Sequence, residues 1–184
     1  DAKLEQLKAI ISEKFANPTV NRAGEPNHKI IVFTAFSDTA NYLFQQLMSF
    51  AREKDFHAAL VTGGGETKAT LGKSRYQDIL INFAPRAKNR KAMKGQPQDA
   101  EIDLLIATDC ISEGQNLQDA DLLVNFDIHW NPVRLIQRFG RIDRIGSLND
   151  HIQMVNFWPT PDLNHYINLK GRVEARMALV DISA

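Results

Sequence analysis

Eight consecutive residues, Gln137-Arg138-Phe139-Gly140-Arg141-Ile142-Asp143-Arg144, hold three arginines, and Arg134 lies just before them. The apolar spacing predicts a helix over Pro132 to Arg144. On such a helix Gln137, Arg141 and Arg144 fall at i, i+4 and i+7 and share one face, while Leu135, Phe139 and Ile142 recur on another that should pack on a sheet. Gly140 would then sit mid-helix, at a cost of about 1 kcal/mol relative to alanine. A merely solvated face would use Lys, Glu and Gln. Guanidinium groups suit a different task, because their fixed fork meets two oxygens of a transferring phosphoryl group and never deprotonates. The alternative is a helix laced with ion pairs to Asp143 and Asp127, and spacing alone leaves both readings open.

Two other segments carry candidate chemistry. Asp103 to Thr108 reads as a buried strand, after which Asp109 and a short turn deliver Glu113, Gly114 and Asn116. A hydroxyl and free N–H groups at a strand's carboxyl end suit a phosphate oxygen, and Gly114 permits close backbone approach. The plainer reading is a helix N-cap at Thr108 or Asp109 with a glycine stop. In Phe126 to Pro132, Asn131-Pro132 reads as an N-cap followed by proline at the first helical position. Trp130 beside it is either a core plug or an exposed ring that could stack on a base or sugar.

Some segments only imitate nucleotide sites. Gly72-Lys73-Ser74 looks like the end of a phosphate-binding P-loop, but Thr67 stands where that pattern needs its first glycine. The stretch Thr67 to Phe83 also reads as helix interior. Gly63-Gly64-Gly65 lacks the dinucleotide spacing, and no Asp-Glu pair closes a strand as a magnesium-binding Walker B would require. The chain therefore holds arginines suited to a phosphate without a loop of its own to cradle one.

The elements that must position these residues alternate. Apolar, β-rich runs fall at Lys29 to Ala35, His57 to Thr62, Ile102 to Thr108, Asp121 to Phe126 and Ile152 to Phe157. Helical patterns fall at Lys3 to Phe15, Thr39 to Arg52, Thr67 to Phe83 and Pro132 to Arg144, with a last one over Asp162 to Val180. Nearly continuous apolar strands alternating with helices predict an α/β domain: a parallel sheet covered by helices on both faces, with ligands outside the strands' carboxyl ends. Pro85 to Glu101 breaks the rhythm. It is polar, gathers Arg86, Lys88, Arg90, Lys91 and Lys94, and reads as a surface insertion that either extends a nucleic-acid track or is simply solvated.

At 184 residues the chain is one domain, and its 22 basic and 22 acidic residues argue against a purely electrostatic nucleic-acid coat. Cys110 is the only cysteine and no two histidines stand at i, i+4, so a disulfide framework or a helical histidine pair for metal is not expected. No apolar run approaches the roughly 20 residues that span a bilayer. The opening inside a helical pattern suggests a domain excised from a longer protein.

Taken together, Ile31 to Thr39, Leu104 to Leu117, Asp127 to Pro132 and Gln137 to Gly146 resemble motifs IV, V and VI of superfamily 2 helicases. The likeness is strongest to the Snf2 family, in the Asp127-Ile128-His129-Trp130-Asn131-Pro132 element and the Arg141-Ile142-Asp143-Arg144-Ile145-Gly146 ending. Ser112-Glu113-Gly114-Gln115-Asn116-Leu117 points to its bacterial, RapA-like branch. The resemblance implies a second RecA-like lobe, a three-layer α/β/α domain of the P-loop NTPase type over residues 1–184. It implies Arg141 and Arg144 as arginine fingers on the γ-phosphate, with Gln137 ordering the site. Glu113, Gly114 and Asn116 would line the nucleotide. Ser37, Thr62 and Thr108 would meet the phosphate backbone of double-stranded DNA, with Trp130 and Asn131 as further DNA-binding candidates. ATP with Mg2+ would be held chiefly by a preceding RecA-like lobe absent here, RNA polymerase is a partner the branch suggests, and the location implied is the bacterial cytoplasm. Two rivals stand beside this reading: a catalytically inert scaffold for a protein partner, and a lobe of a strand-separating helicase.

Overall fold

The computed structural model describes residues 1–111, 114–128, 131–158, 168, 171, 172, 174 and 175. Helix α1 (Ala2–Ala16) opens the chain, with the Asp1 carboxylate accepting from Lys3 N–H and Leu4, Leu7 and Ile11 turned inward at helical spacing. Pro18, two residues beyond its end, prevents continuation. A short antiparallel hairpin follows, β1 (Thr19–Val20) with β2 (Pro26–Asn27). Then come β3 (Ile30–Phe33), α2 (Ser37–Glu53), β4 (His57–Val61), β5 (Thr67–Ala69), α3 (Tyr76–Phe83), β6 (Ile102–Ala107), β7 (Leu122–Asn125), α4 (Pro132–Phe139) and β8 (Gln153–Asn156).

The six-stranded sheet has the order β5-β4-β6-β3-β7-β8 and is parallel except for β5, which pairs antiparallel with β4 at one edge. Alternation along each strand sends its side chains to opposite faces. Ile30 and Val32, with Leu60, Leu104, Ile106, Leu122 and Val124, meet Leu7, Ile11, Leu43 and Leu47 of α1 and α2. Ile31 and Phe33, with Ala59, Val61, Leu105 and Leu123, meet Ile79, Leu80 and Phe83 of α3 together with Ile111, Leu117 and Ile142. Burying each such leucine or isoleucine contributes about 2 kcal/mol, so the two apolar layers dominate the energetics. No helix among the described residues is long and apolar enough to cross a membrane.

The five expected strands and the three-layer arrangement are present. Three details differ. The hairpin β1–β2 had no signal in the apolar pattern, because its strands are two residues each and mostly exposed. Thr67 to Phe83 is not one helix: Thr67 to Ala69 form the edge strand, and Gly72 holds φ +70°, a left-handed conformation that no helix interior accepts. The helix starts only at Tyr76. Likewise Pro132 to Arg144 is helical only to Phe139, with Gly140 as its C-cap, not a mid-helix residue. Beyond it the chain turns so that Ile142 reaches the sheet core, while Leu135 packs separately with Ile128 and Trp158. Gln137, Arg141 and Arg144 therefore do not share a helix face. The expected helix over 162–180 falls outside the described residues, apart from short helical pieces at 171–172 and 174–175.

Candidate nucleotide and nucleic-acid site

The ladder of the sheet runs one residue past β3, β6 and β7. Thr34 N–H donates to Ala107 O, Thr108 N–H to Val61 O, and Phe126 N–H to Phe33 O. Thr34, Thr62 and Thr108 thus stand at the carboxyl rim, where the chain must turn. Asp127 fixes the first turn: its carboxylate accepts from the Thr34 hydroxyl and, at 2.7 Å, from Ala35 N–H. Thr62 and Thr108 fix the second. The Thr108 hydroxyl accepts from Gly63 N–H at 2.9 Å, and the Thr62 hydroxyl donates to Glu66 O at 3.2 Å. Gly65 takes φ +81° in this turn, which leaves Gly63 to Glu66 exposed.

Helix α4 brings arginines to the same rim. The Asn131 side chain accepts from Val133 N–H at 3.1 Å and Pro132 occupies the first turn, the start that Asn131-Pro132 predicts. Arg138, one residue before the helix end, is fully buried. Its Nε and Nη2 grip both oxygens of Asp109 at 2.6 and 2.9 Å. Its Nη1 reaches Asn125 Oδ1 at 2.9 Å and Asp127 O at 3.3 Å, and the guanidinium lies 5.3 Å from the centre of the Phe33 ring. Such a bidentate, stacked arginine is saturated. Asp109 is thereby the counter-ion of Arg138 and not a helix N-cap, and Asp127 secures a turn instead of a surface arginine. The sequence offered one hint for the first pair, an aspartate directly after a buried strand facing an arginine-rich segment.

A pocket of about 200 Å³ opens beside this buried pair, lined by Phe33, Asp109, Ile111, Arg134, Gln137, Arg138 and Arg141. Arg134, Arg141 and Arg144 form no ion pair among the described residues. Arg144 Nε donates to Gly140 O at 3.2 Å, and Arg141 O accepts from Leu117 N–H at 2.9 Å, which ties the segment after α4 to the loop after β6. In that loop Gly114 holds φ +83° and is exposed, and Asn116 Oδ1 accepts from Gln118 N–H at 3.0 Å. Ser37 stands at the first turn of α2, its carbonyl accepting from Asn41 Nδ2 at 3.2 Å. Glu113 and Trp130, both expected site residues, lie outside the described residues. Of the rest, Gln137, Arg141 and Arg144 fall with the Gly114–Asn116 loop, Ser37 with the Thr62–Thr108 turn, and Asn131 at the start of α4.

The expected insertion at 85–101 is docked on the domain rather than pooled into a basic face. Arg86 pairs with Glu25, while Arg90 is buried against Asn82 Oδ1 and Ala100 O. Lys88 reaches Gln115 Oε1 at 2.5 Å.

A parallel sheet sandwiched by helices, with uncommitted guanidiniums beyond its carboxyl edge, defines a RecA-like lobe. Solved structures agree on the fold. The C-terminal part of the Fun30 ATPase domain aligns with a TM-score of 0.58 at 17% identity, over 90% of this chain and 43% of that one. The Pyrococcus furiosus Hef helicase domain gives 0.53 at 24% identity, over 89% and 27%. Residues 2–146 match the family described as the helicase conserved C-terminal domain, and the chain belongs to that family, the second lobe of superfamily 2 helicases. Its curated relatives include the uncharacterized ATP-dependent helicase YqhH of Bacillus subtilis (strain 168), 27% identical over 147 residues that make up 80% of this chain and 22% of YqhH. The RNA polymerase-associated protein RapA of Vibrio atlanticus (strain LGP32) is 47% identical over 53 residues, 29% of this chain and 6% of RapA. The chain thus spans about a fifth of the length of YqhH, and less of the others.

Proposed function

We propose that this chain is the C-terminal lobe of an Snf2-type, double-stranded-DNA-tracking ATPase, and that it completes an ATP site whose phosphate loop belongs to a second RecA-like lobe. One observation carries the reading: within a single segment Arg138 is buried and saturated, while Arg141 and Arg144 have no acid partner among the described residues. A lobe needing arginine only for its own stability would answer all three. Arg141 and Arg144 act as fingers on the γ-phosphate, Gln137 orders the site, and Glu113, Gly114 and Asn116 line the nucleotide. Mg2+ is assigned, with the phosphate loop, to the other lobe, since no Asp-Glu pair closes a strand of this chain as a Walker B would.

Cleft closure is the mechanism. ATP draws the two lobes together and brings Arg141 and Arg144 onto the phosphate, where they offset charge that develops as the γ-phosphoryl group leaves. Hydrolysis releases them. Ser37 and Asn131 meet the DNA directly and Trp130 stacks on a base or sugar, whereas the buried Thr62 and Thr108 act by shaping the exposed Gly63–Glu66 turn. Backbone contacts give a track without sequence readout. RNA polymerase is a partner suggested by the relatives named RapA, and the bacterial cytoplasm is the location that goes with it.

The test is ATP turnover by the full-length protein with duplex and with single-stranded DNA. Stronger stimulation by duplex is expected. Preference for single strands would favour a strand-separating helicase, and no stimulation by either would favour an inert scaffold.

A further inference from the structure

The segment between α3 and β6 interrupts the strand–helix rhythm, and its first turn is firmly held. Both oxygens of Asp119 accept from it, at 2.8 Å from Arg86 N–H and 2.8 Å from Ala87 N–H. Lys88 N–H follows with a bond to Ala84 O at 2.9 Å. Arg86 and Arg90 are committed to partners inside the lobe. Lys88 behaves differently. Its half-buried ammonium crosses to the Gly114–Asn116 loop and donates to Gln115 Oε1 at 2.5 Å, with no carboxylate against it among the described residues. The same loop is bonded to the finger segment through Leu117 and Arg141. Burial, and then the charge of nearby Arg144, both lower the proton affinity of Lys88.

A partly dehydrated ammonium that faces a neutral amide, with the charge of Arg144 acting on it, is unfavourable in an isolated lobe. An arriving anion turns the repulsion into shared attraction. We propose that Lys88 is a further phosphate-binding group of the nucleotide half-site, delivered by the 85–101 segment, and that its ligand is the polyphosphate of a nucleoside triphosphate. The inference rests on the nucleotide reading of Arg141 and Arg144. Gln115 holds the ammonium at the rim until the triphosphate arrives. The flexible lysine stem then lets the charge follow the phosphate oxygens, a motion that the committed guanidinium of Arg138 cannot make.

The experiment compares the full-length protein with its K88M, K88R and R144A variants. It measures affinity for a non-hydrolysable ATP analogue and for AMP, DNA-stimulated turnover, and DNA affinity at low salt without nucleotide. One lost charge-assisted hydrogen bond corresponds to roughly a tenfold weaker triphosphate affinity in K88M, with KM rising in step. AMP and DNA affinities should stay unchanged, and K88R should recover most of the loss. Equal weakening for AMP and triphosphate, no weakening for either, or a loss that appears in DNA affinity instead would each overturn the proposal. If R144A abolishes turnover while K88M binds the triphosphate normally, only the Lys88 inference falls. If R144A turns over ATP normally, the nucleotide reading beneath it falls as well.

Discussion

The two ends of the sheet treat positive charge in opposite ways. At the amino ends four cations meet acids: Lys14 lies 2.8 Å from Asp121, Lys29 2.7 Å from Glu101, Arg22 3.2 Å from Asp150, and Arg86 pairs with Glu25. Beyond the carboxyl ends Arg134, Arg141 and Arg144 have no acid partner among the described residues, although Arg138, in their midst, has one. On the proposed reading the lobe separates a structural end from a ligand-binding end, and Arg138 belongs by its chemistry to the structural class.

The largest effect should come from moving Arg138 out of that class. R138A strands the Asp109 carboxylate and removes a buried guanidinium, so it should destabilise the chain by about 3–5 kcal/mol in urea titration. Stability near wild type would erase the distinction between Arg138 and its neighbours. At the amino end, Lys14 and Asp121 are both buried and share the Thr19 hydroxyl. K14M should cost about 3 kcal/mol by leaving a buried carboxylate unanswered, and K14M/D121L should recover most of that loss.

Smaller effects sharpen the comparison. Asp103 sits half-buried within β6, and burial raises its pKa above the ordinary carboxylate value. The folded lobe therefore holds that proton more tightly than the unfolded chain. The stability it contributes is complete below the ordinary carboxylate pKa and is lost as pH rises through the raised value. D103N should thus melt higher than wild type at neutral pH, with the gain shrinking as the solution is acidified; a gain independent of pH would contradict the assignment. Smallest of all, the exposed Glu25–Arg86 pair should be expendable. E25A should leave the melting temperature and nucleotide affinity unchanged.

Much of this architecture is legible in the residues. The continuous apolar runs that became β3, β4, β6, β7 and β8 announce strands covered on both faces, and Asn131-Pro132 marks the start of α4. Spacing misled at its end. Periodicity carried the helix through Arg144, but Gly140 and the pull of Ile142 into the sheet core stop it at Phe139. The edge strand Thr67 to Ala69 is half-buried and three residues long, too short to outweigh a helical pattern that a left-handed Gly72 breaks. At the candidate site the residue types were visible, but which arginine would be spent on the fold was not. That depends on Asp109 and Asn125, brought to Arg138 from two other strands' ends.

On the proposed reading Arg144, with Arg141, serves a ligand and not the fold. The most direct measurement is ATP binding and DNA-stimulated turnover in full-length R144A. Turnover should fall by about 10³-fold or more while ATP affinity and melting temperature change little. Undiminished turnover would contradict the finger assignment, and a collapse of stability instead would place Arg144 with Arg138 among the arginines that hold the lobe together.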